Sequence, residues 1–210
     1  MVEFKNWAAF GLLTFGMACT PGPNMLYLLS RSISQGRAAG FISLGGVALG
    51  FFIYMTLTAA GITAVIMAVP VAYDILRFGG AAYLAWLAWN ALKPGAVSPF
   101  QVRHLPAHRP ARLFGMGLAT SLLNPKLAVL YMSLLPQFIR PEHGNVLGQS
   151  LLLGSTQIVI SVTVNGLVVF AAGGVAAFLA ARPTWAKVQR WIMGTVLGGL
   201  AVRMAFEARR

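Results

Sequence analysis

Apolar residues run along this chain in blocks too long for the core of a small soluble domain, with short polar stretches between them. Crossing roughly 30 Å of hydrocarbon takes about 20 apolar residues in a helix. Blocks of that order lie at Phe4 to Leu29, Ala38 to Val69, Val71 to Leu92, Leu113 to Ile139, Val146 to Ala181 and Val188 to Phe206. The pattern predicts an all-α integral membrane protein with six transmembrane helices. The second and fifth blocks exceed a minimal span, which tilting accommodates, and Pro70 marks a tight turn after the second. Arg203 interrupts the sixth close enough to the headgroups to snorkel.

The long polar stretch from Lys93 to Arg112 contains Pro94, Pro99, Pro106 and Pro110 and reads as a flexible cytoplasmic linker. It divides the chain into a first three-helix repeat, residues 1–92, the linker, residues 93–112, and a second three-helix repeat, residues 113–210. An odd number of spans in each half makes the second copy enter the membrane from the opposite side, so the two repeats are inverted.

Two apolar blocks, one in each half, are interrupted near their middles by a proline-centred polar break. The first reads Thr20-Pro21-Gly22-Pro23-Asn24 and the second Asn124-Pro125-Lys126. After each break comes a similar run of proline, polar residue, apolar stretch and serine, ending at Ser30 and Ser133. An unpaired backbone group is costly in lipid, so a broken helix persists only where protein packs around it or a polar cavity adjoins it. At about 1.5 Å per residue, Pro21 lies about 15 Å from Arg31, and Lys126 about 20 Å from Arg112 or Arg140, so both breaks fall near mid-membrane. Paired breaks of this kind mark a substrate site in transporters built from repeats.

The first break offers backbone N–H groups, a turn at Gly22 and the side chains of Thr20 and Asn24. A half-helix beginning after Pro23 aims its positive end at an anion such as a carboxylate. The plainer reading is a proline kink. The second break adds Asn124 and Lys126, and a lysine so far from either interface is expensive unless paired, hydrated or functional. Lys126 either attracts a substrate carboxylate and alternates between charged and neutral forms, or satisfies carbonyls freed by a break.

Gln157, Ser161 and Asn165 recur every four residues and share one helix face, which lines a pathway or serves as interhelical hydrogen-bonding glue. Tyr54, Tyr83 and Trp86 are pocket candidates, against a core or lipid-facing role. Gly46 with Gly50 and Gly194 with Gly198 have the spacing of close helix-packing seams. Asp74 and Arg77, one turn apart, read as a surface bridge at a helix mouth.

Composition agrees with the pattern: 58% of residues are hydrophobic and 10% charged, too few to cover a soluble globule. The net charge of +12 does not point to nucleic acid, because the basic residues sit in loops and at helix ends without interleaved aromatics. Arg31, Arg37, Lys93, Arg103, Arg109, Arg112, Arg182, Lys187 and Arg190 fall on one side of a six-helix arrangement. Lys5, Arg77, Arg140, Arg203, Arg209 and Arg210 fall on the other. The positive-inside rule then places both termini in the periplasm. Cys19, the single cysteine, has no disulfide or metal-site partner in the sequence, and Gly16-Met17-Ala18-Cys19 only loosely resembles a lipoprotein cleavage site, because Glu3 spoils a basic leader. His104, His108 and His143 fall in loops, and no metal cluster, cofactor motif or nucleophile constellation emerges, so neither an enzyme nor a cofactor is expected.

The same residues carry a family resemblance. Thr20 to Asn24, followed by Ser30-Arg31 and Gly36-Arg37-Ala38-Ala39-Gly40, resembles the opening signature of the lysine exporter and homoserine/threonine resistance (LysE/RhtB) family of bacterial amino-acid exporters. Gly80-Ala81-Ala82-Tyr83-Leu84, Leu123-Asn124-Pro125-Lys126 with Leu135-Pro136-Gln137-Phe138, and Gly194 through Arg203 resemble its third, fourth and last helices. The resemblance implies an inner-membrane, six-helix carrier that expels amino acids or close derivatives, energised by protons. It places Thr20, Pro21, Gly22, Pro23, Asn24, Asn124, Pro125 and Lys126 in motifs that build the central site. Tyr54 stands near where many members carry a histidine or another polar group, which bears on the coupling ion and substrate. The basic chain disfavours a cationic substrate, so neutral amino acids such as homoserine or threonine are expected over lysine or arginine. The lipid bilayer and protons are the other partners, and a homo-oligomer is left open. The competing expectation is a membrane scaffold whose glycine seams and basic loops hold a protein partner.

Overall fold

The computed structural model describes residues 2–68, 78–79, 81–82, 85–86, 88–89, 92–93, 107–172, 174, 184, 188, 191, 195, 198–199, 201–202 and 206. Among them there is helix and turn and no strand. Helix α1 is Phe4–Cys19, α2 Pro23–Gln35, α3 Arg37–Ala68, α4 Pro110–Leu122 and α5 Pro125–Val129. A π turn over Leu130–Leu134 and 3-10 turns over Leu135–Phe138 and Pro141–His143 lead into α6, Val146–Phe170.

Local chemistry sets these boundaries. Proline occupies the first helical position of α2, α4 and α5, where its missing N–H costs nothing and its φ is already helical. Gly36, at φ +87°, turns the chain so sharply that α3 begins at the next residue. Asn145 adopts a left-handed conformation at φ 42°, and its side chain accepts the Gly148 N–H at 3.0 Å, capping α6.

Arg37–Gly61 within α3 and Val146–Phe170 are long and apolar enough to cross a membrane. Pro110–Leu122 with Lys126–Phe138, bent by 51°, makes a third candidate if the pair is one span. Two to three of the six expected spans are therefore recognisable among the described residues. Most of the blocks at Val71 to Leu92 and Val188 to Phe206 lies outside them, as do Pro70, Asp74, Arg77, Gly194, Arg203 and linker residues 94–106. The expected third helix of each repeat thus lies mostly outside them. Helix α4 starts at Pro110, three residues before the expected apolar block.

Phe41, Phe52, Leu57, Leu123, Val159, Leu167 and Phe170 are all exposed, an apolar exterior suited to acyl chains and not to water. Polar side chains go inward instead: Thr14, Asn24, Ser121, Asn124, Gln157, Ser161 and Asn165 are buried. Helix α3 runs against α4 along a glycine seam. A Cβ on Gly46 would strike the Phe114 carbonyl and one on Gly117 the Ser43 carbonyl, while Gly50 faces Ser121. Gly46 and Gly50 are thus the packing seam their spacing indicates.

Two polar links mark the opposite ends of this bundle. At one, Gln35 Nε2 donates to the His108 carbonyl and the His108 N–H donates to Gln35 Oε1, both at 2.9 Å. This joins the α2–α3 turn to the entry of α4, with Arg37 over the Phe170 ring at 4.6 Å nearby. At the other, His143 Nε2 lies 3.9 Å from the Glu3 carboxylate. The basic residues Arg37 and Arg109 therefore share one end, and Lys5 and Arg140 the other, in line with the two groups read from the sequence.

The seam yields a paired prediction. Gly46→Ala must push two backbones apart and should lower stability by about 1–3 kcal/mol, whereas Gly16→Ala, whose Cβ would meet nothing within 4 Å, should be neutral or mildly stabilising. Thermal unfolding of the two variants in the same detergent compares them directly.

Candidate functional site

Helix α1 ends at Cys19, and α2 starts only at Pro23. The last carbonyls of α1 cannot find partners one turn ahead, because the chain turns extended at Thr20 and Gly22. Thr20 closes part of the end locally, its N–H donating to the Met17 carbonyl at 3.1 Å and its hydroxyl to the Gly16 carbonyl at 2.7 Å. The remainder is supplied from far along the chain. Lys126 Nζ donates to the Met17 carbonyl and to the Thr20 carbonyl, each at 2.7 Å. An ammonium placed on the terminal carbonyls of a helix also meets the negative end of its dipole.

Lys126 is positioned from its own side by Asn124, whose Oδ1 accepts the Lys126 backbone N–H at 3.1 Å and caps α5. Gly22 makes room for the lysine: a Cβ there would lie 3.3 Å from Nζ. The two interruptions, at residues 20–22 and 123–124, thus meet through a single side chain.

They enclose a cavity of about 40 Å³, large enough to admit water. Thr14, Met17, Ala18, Thr20, Gly22, Asn24 and Met25 line it from α1, α2 and their junction, and Phe51 from α3. Asn124, Lys126, Leu127 and Leu130 face it from the second interruption, and Gln157, Ser161 and Asn165 from α6. Its wall is polar at the broken ends and along α6, and apolar at Met17, Met25, Phe51, Leu127 and Leu130.

A buried chain of hydrogen bonds stiffens the α6 wall. The Tyr131 hydroxyl donates to Gln157 Oε1 at 2.6 Å, Gln157 Nε2 to Ser161 Oγ at 2.9 Å, and Asn165 Nδ2 to the Ser161 carbonyl at 2.8 Å. Tyr131 stacks on Tyr54, with ring centroids 5.7 Å apart, and the Tyr54 hydroxyl donates to the Leu122 carbonyl at 2.9 Å. Three oxygens of cavity-lining side chains have no protein partner: Thr14 Oγ1, Asn24 Oδ1 and Asn165 Oδ1. Each buried orphan of this kind costs about 1–3 kcal/mol.

Of the residues singled out in the sequence, Thr20, Gly22, Asn24, Asn124, Lys126, Gln157, Ser161 and Asn165 come together on this one cavity. Pro21 and Pro23 do not line it; they shape the backbone beside it. Pro125 opens α5. Tyr54 sits one layer back, holding Tyr131 and the end of α4 rather than the cavity. Trp86 is exposed and is no part of it, and Tyr83 lies outside the described residues. Sequence reasoning passed over Thr14, Met17, Met25, Phe51 and Tyr131. Thr14 carried a usable signal, as the lone polar side chain between Ala8 and Ala18; the apolar residues carried none.

The family model for LysE type translocators matches residues 15–208, nearly the whole chain and both interruptions. The chain belongs to the LysE type translocator family. A leucine efflux protein of Enterobacter sp. (strain 638) is 30% identical over 207 residues, spanning 95% of this chain and 98% of that relative. A homoserine/homoserine lactone efflux protein of Salmonella typhi is 31% identical over 166 residues, 78% of each chain. A leucine efflux protein of Klebsiella pneumoniae is 28% identical over 207 residues. No solved structure gives a significant match. These relatives are efflux proteins, so this LysE type translocator is a transporter and not an enzyme, as its residues indicate.

Lys126→Ala in this LysE type translocator removes the donor that the Thr20 carbonyl has from α5. The truncation should cost about 1–3 kcal/mol of stability, read as a lower melting temperature in detergent, while Leu123→Ala, at an 81% exposed position, should change it little.

Proposed function

We propose that this LysE type translocator exports neutral amino acids across a bacterial inner membrane by proton antiport with alternating access. The observation that carries this reading is the Lys126 ammonium. It has three N–H donors, and its two hydrogen bonds, to Met17 and Thr20, leave a third for a ligand in the cavity that it lines. A substrate carboxylate is the natural acceptor.

The names of the relatives favour amino acids, leucine for some and homoserine for others. The lining argues against a cationic side chain, because no carboxylate faces the cavity among the described residues. The apolar wall of Met17, Met25, Phe51, Leu127 and Leu130 suits an aliphatic or small neutral side chain.

Lys126 is also the one titratable side chain on the cavity wall among the described residues. Loss of its proton weakens its hold on the α1 carbonyls, so proton traffic and movement of the broken ends share one atom. Two inverted three-helix repeats rocking about this point would expose it to each side in turn. Both termini lie in the periplasm in this scheme.

A panel of amino acids loaded singly into expressing cells tests the reading. Export of leucine, threonine or homoserine is expected, with little export of lysine or arginine and loss of export when the proton gradient is collapsed. Lys126→Ala, compared at equal membrane abundance, should export none of them. Purified protein in liposomes that moves no labelled amino acid would favour a scaffold instead.

A further inference from the structure

From the three unpartnered oxygens we infer that Thr14, Asn24 and Asn165 form a binding site for the substrate's α-ammonium group. This inference rests on the amino-acid reading above and specifies which pole of the zwitterion meets which wall.

The three side chains come from three helices and are at least nine-tenths buried: Thr14 is 0% exposed, Asn24 6% and Asn165 5%. All three line the same cavity. Buried polar atoms in folded proteins are nearly always paired, so three orphans converging on one cavity point to a ligand that pairs them. The chemistry of the atoms selects the ligand. Asn165 spends its N–H donor on the Ser161 carbonyl, which leaves Oδ1 as an acceptor only. Asn24 makes no side-chain hydrogen bond to protein, and a half-turn of its amide brings either terminal atom to the cavity. The Thr14 hydroxyl accepts as readily as it donates.

An α-ammonium brings three donors and no acceptor, and the site offers three acceptors. A carboxylate brings only acceptors and is turned away from these oxygens toward Lys126. The Ser161 main-chain carbonyl orients the Asn165 amide, while Tyr131 and Gln157, through Ser161 Oγ, hold the preceding turn of α6. Neutral oxygens hold an ammonium without a fixed counter-charge, which suits a carrier that must release its cargo. Recognition then demands both poles: an amino acid fits, and the 2-hydroxy acid of the same carbon skeleton lacks the charge that these oxygens take.

Binding of L-leucine and L-threonine to the full chain in nanodiscs, beside their 2-hydroxy counterparts, tests the inference. The unmodified protein should prefer each amino acid over its hydroxy acid by roughly tenfold or more. Thr14→Val and Asn165→Leu should each weaken amino-acid binding by roughly ten- to a hundred-fold and leave the weak hydroxy-acid binding within about threefold, so that discrimination collapses. Asn24→Asp, which keeps an acceptor, should retain amino-acid binding where Asn24→Leu loses it. Equal affinity of the unmodified protein for both members of a pair overturns the site without any variant. So does an equal loss of both ligands in the variants. If the unmodified protein binds and exports leucine or threonine with discrimination unchanged in every variant, the ammonium site falls and the exporter stands; if it binds neither, the exporter reading falls and takes the site with it.

Discussion

A helix that ends within an apolar bundle must find donors for its last carbonyls, and at the gap between α1 and α2 the carbonyls of Met17 and Thr20 draw on a distant side chain, the first of them shared with the Thr20 N–H at 3.1 Å. The Lys126 ammonium satisfies both at 2.7 Å. Neither element is tenable alone: the interrupted helix needs a donor, and the buried lysine needs acceptors. Their union lets a polar chamber exist where lipid would otherwise demand unbroken helix. It also explains the company that Lys126 keeps, with Asn124 capping the backbone beside it and Gly22 leaving space for its end.

That union depends on how closely the helices approach. Gly46 and Gly117 bring α3 and α4 into backbone contact, and α4 feeds directly into the interruption that presents Lys126. Gly154 likewise admits the Met55 side chain between α3 and α6, the helix that carries Gln157 and Ser161. Small residues therefore act at a distance. They hold none of the chamber's chemistry, yet they set the spacing at which a lysine side chain reaches across to α1.

The α6 wall shows how polar groups are kept usable in an apolar setting. Tyr131, Gln157, Ser161 and Asn165 satisfy one another in sequence, which fixes the direction of each amide and leaves a defined remainder facing the cavity. Tyr54 secures the far end by stacking on Tyr131 and bonding the Leu122 carbonyl. A transporter needs such a wall to be stiff in detail and movable as a whole, and hydrogen bonds within one helix and its neighbour meet both demands.

Much of this was legible in the chain. Runs of apolar residues dictate helices that face lipid, because every backbone group must find its partner within the segment. Proline beside polar residues at 20–24 and 124–126 identifies where that pairing fails, and the four-residue spacing of Gln157, Ser161 and Asn165 puts them on one face. The partners of Lys126 were not legible: they lie 109 and 106 residues away and are backbone atoms, which carry no residue identity to read. Nor was the inward place of Thr14 and Phe51 or the outer-layer role of Tyr54, since a single hydroxyl or ring on a helix has no preferred direction until neighbours pack. Composition and periodicity act along the chain and determine elements, environment and the positions of weakness. Only tertiary packing decides which weakness meets which remedy, because a hydrogen bond between distant segments forms or fails on ångström distances that no local pattern encodes.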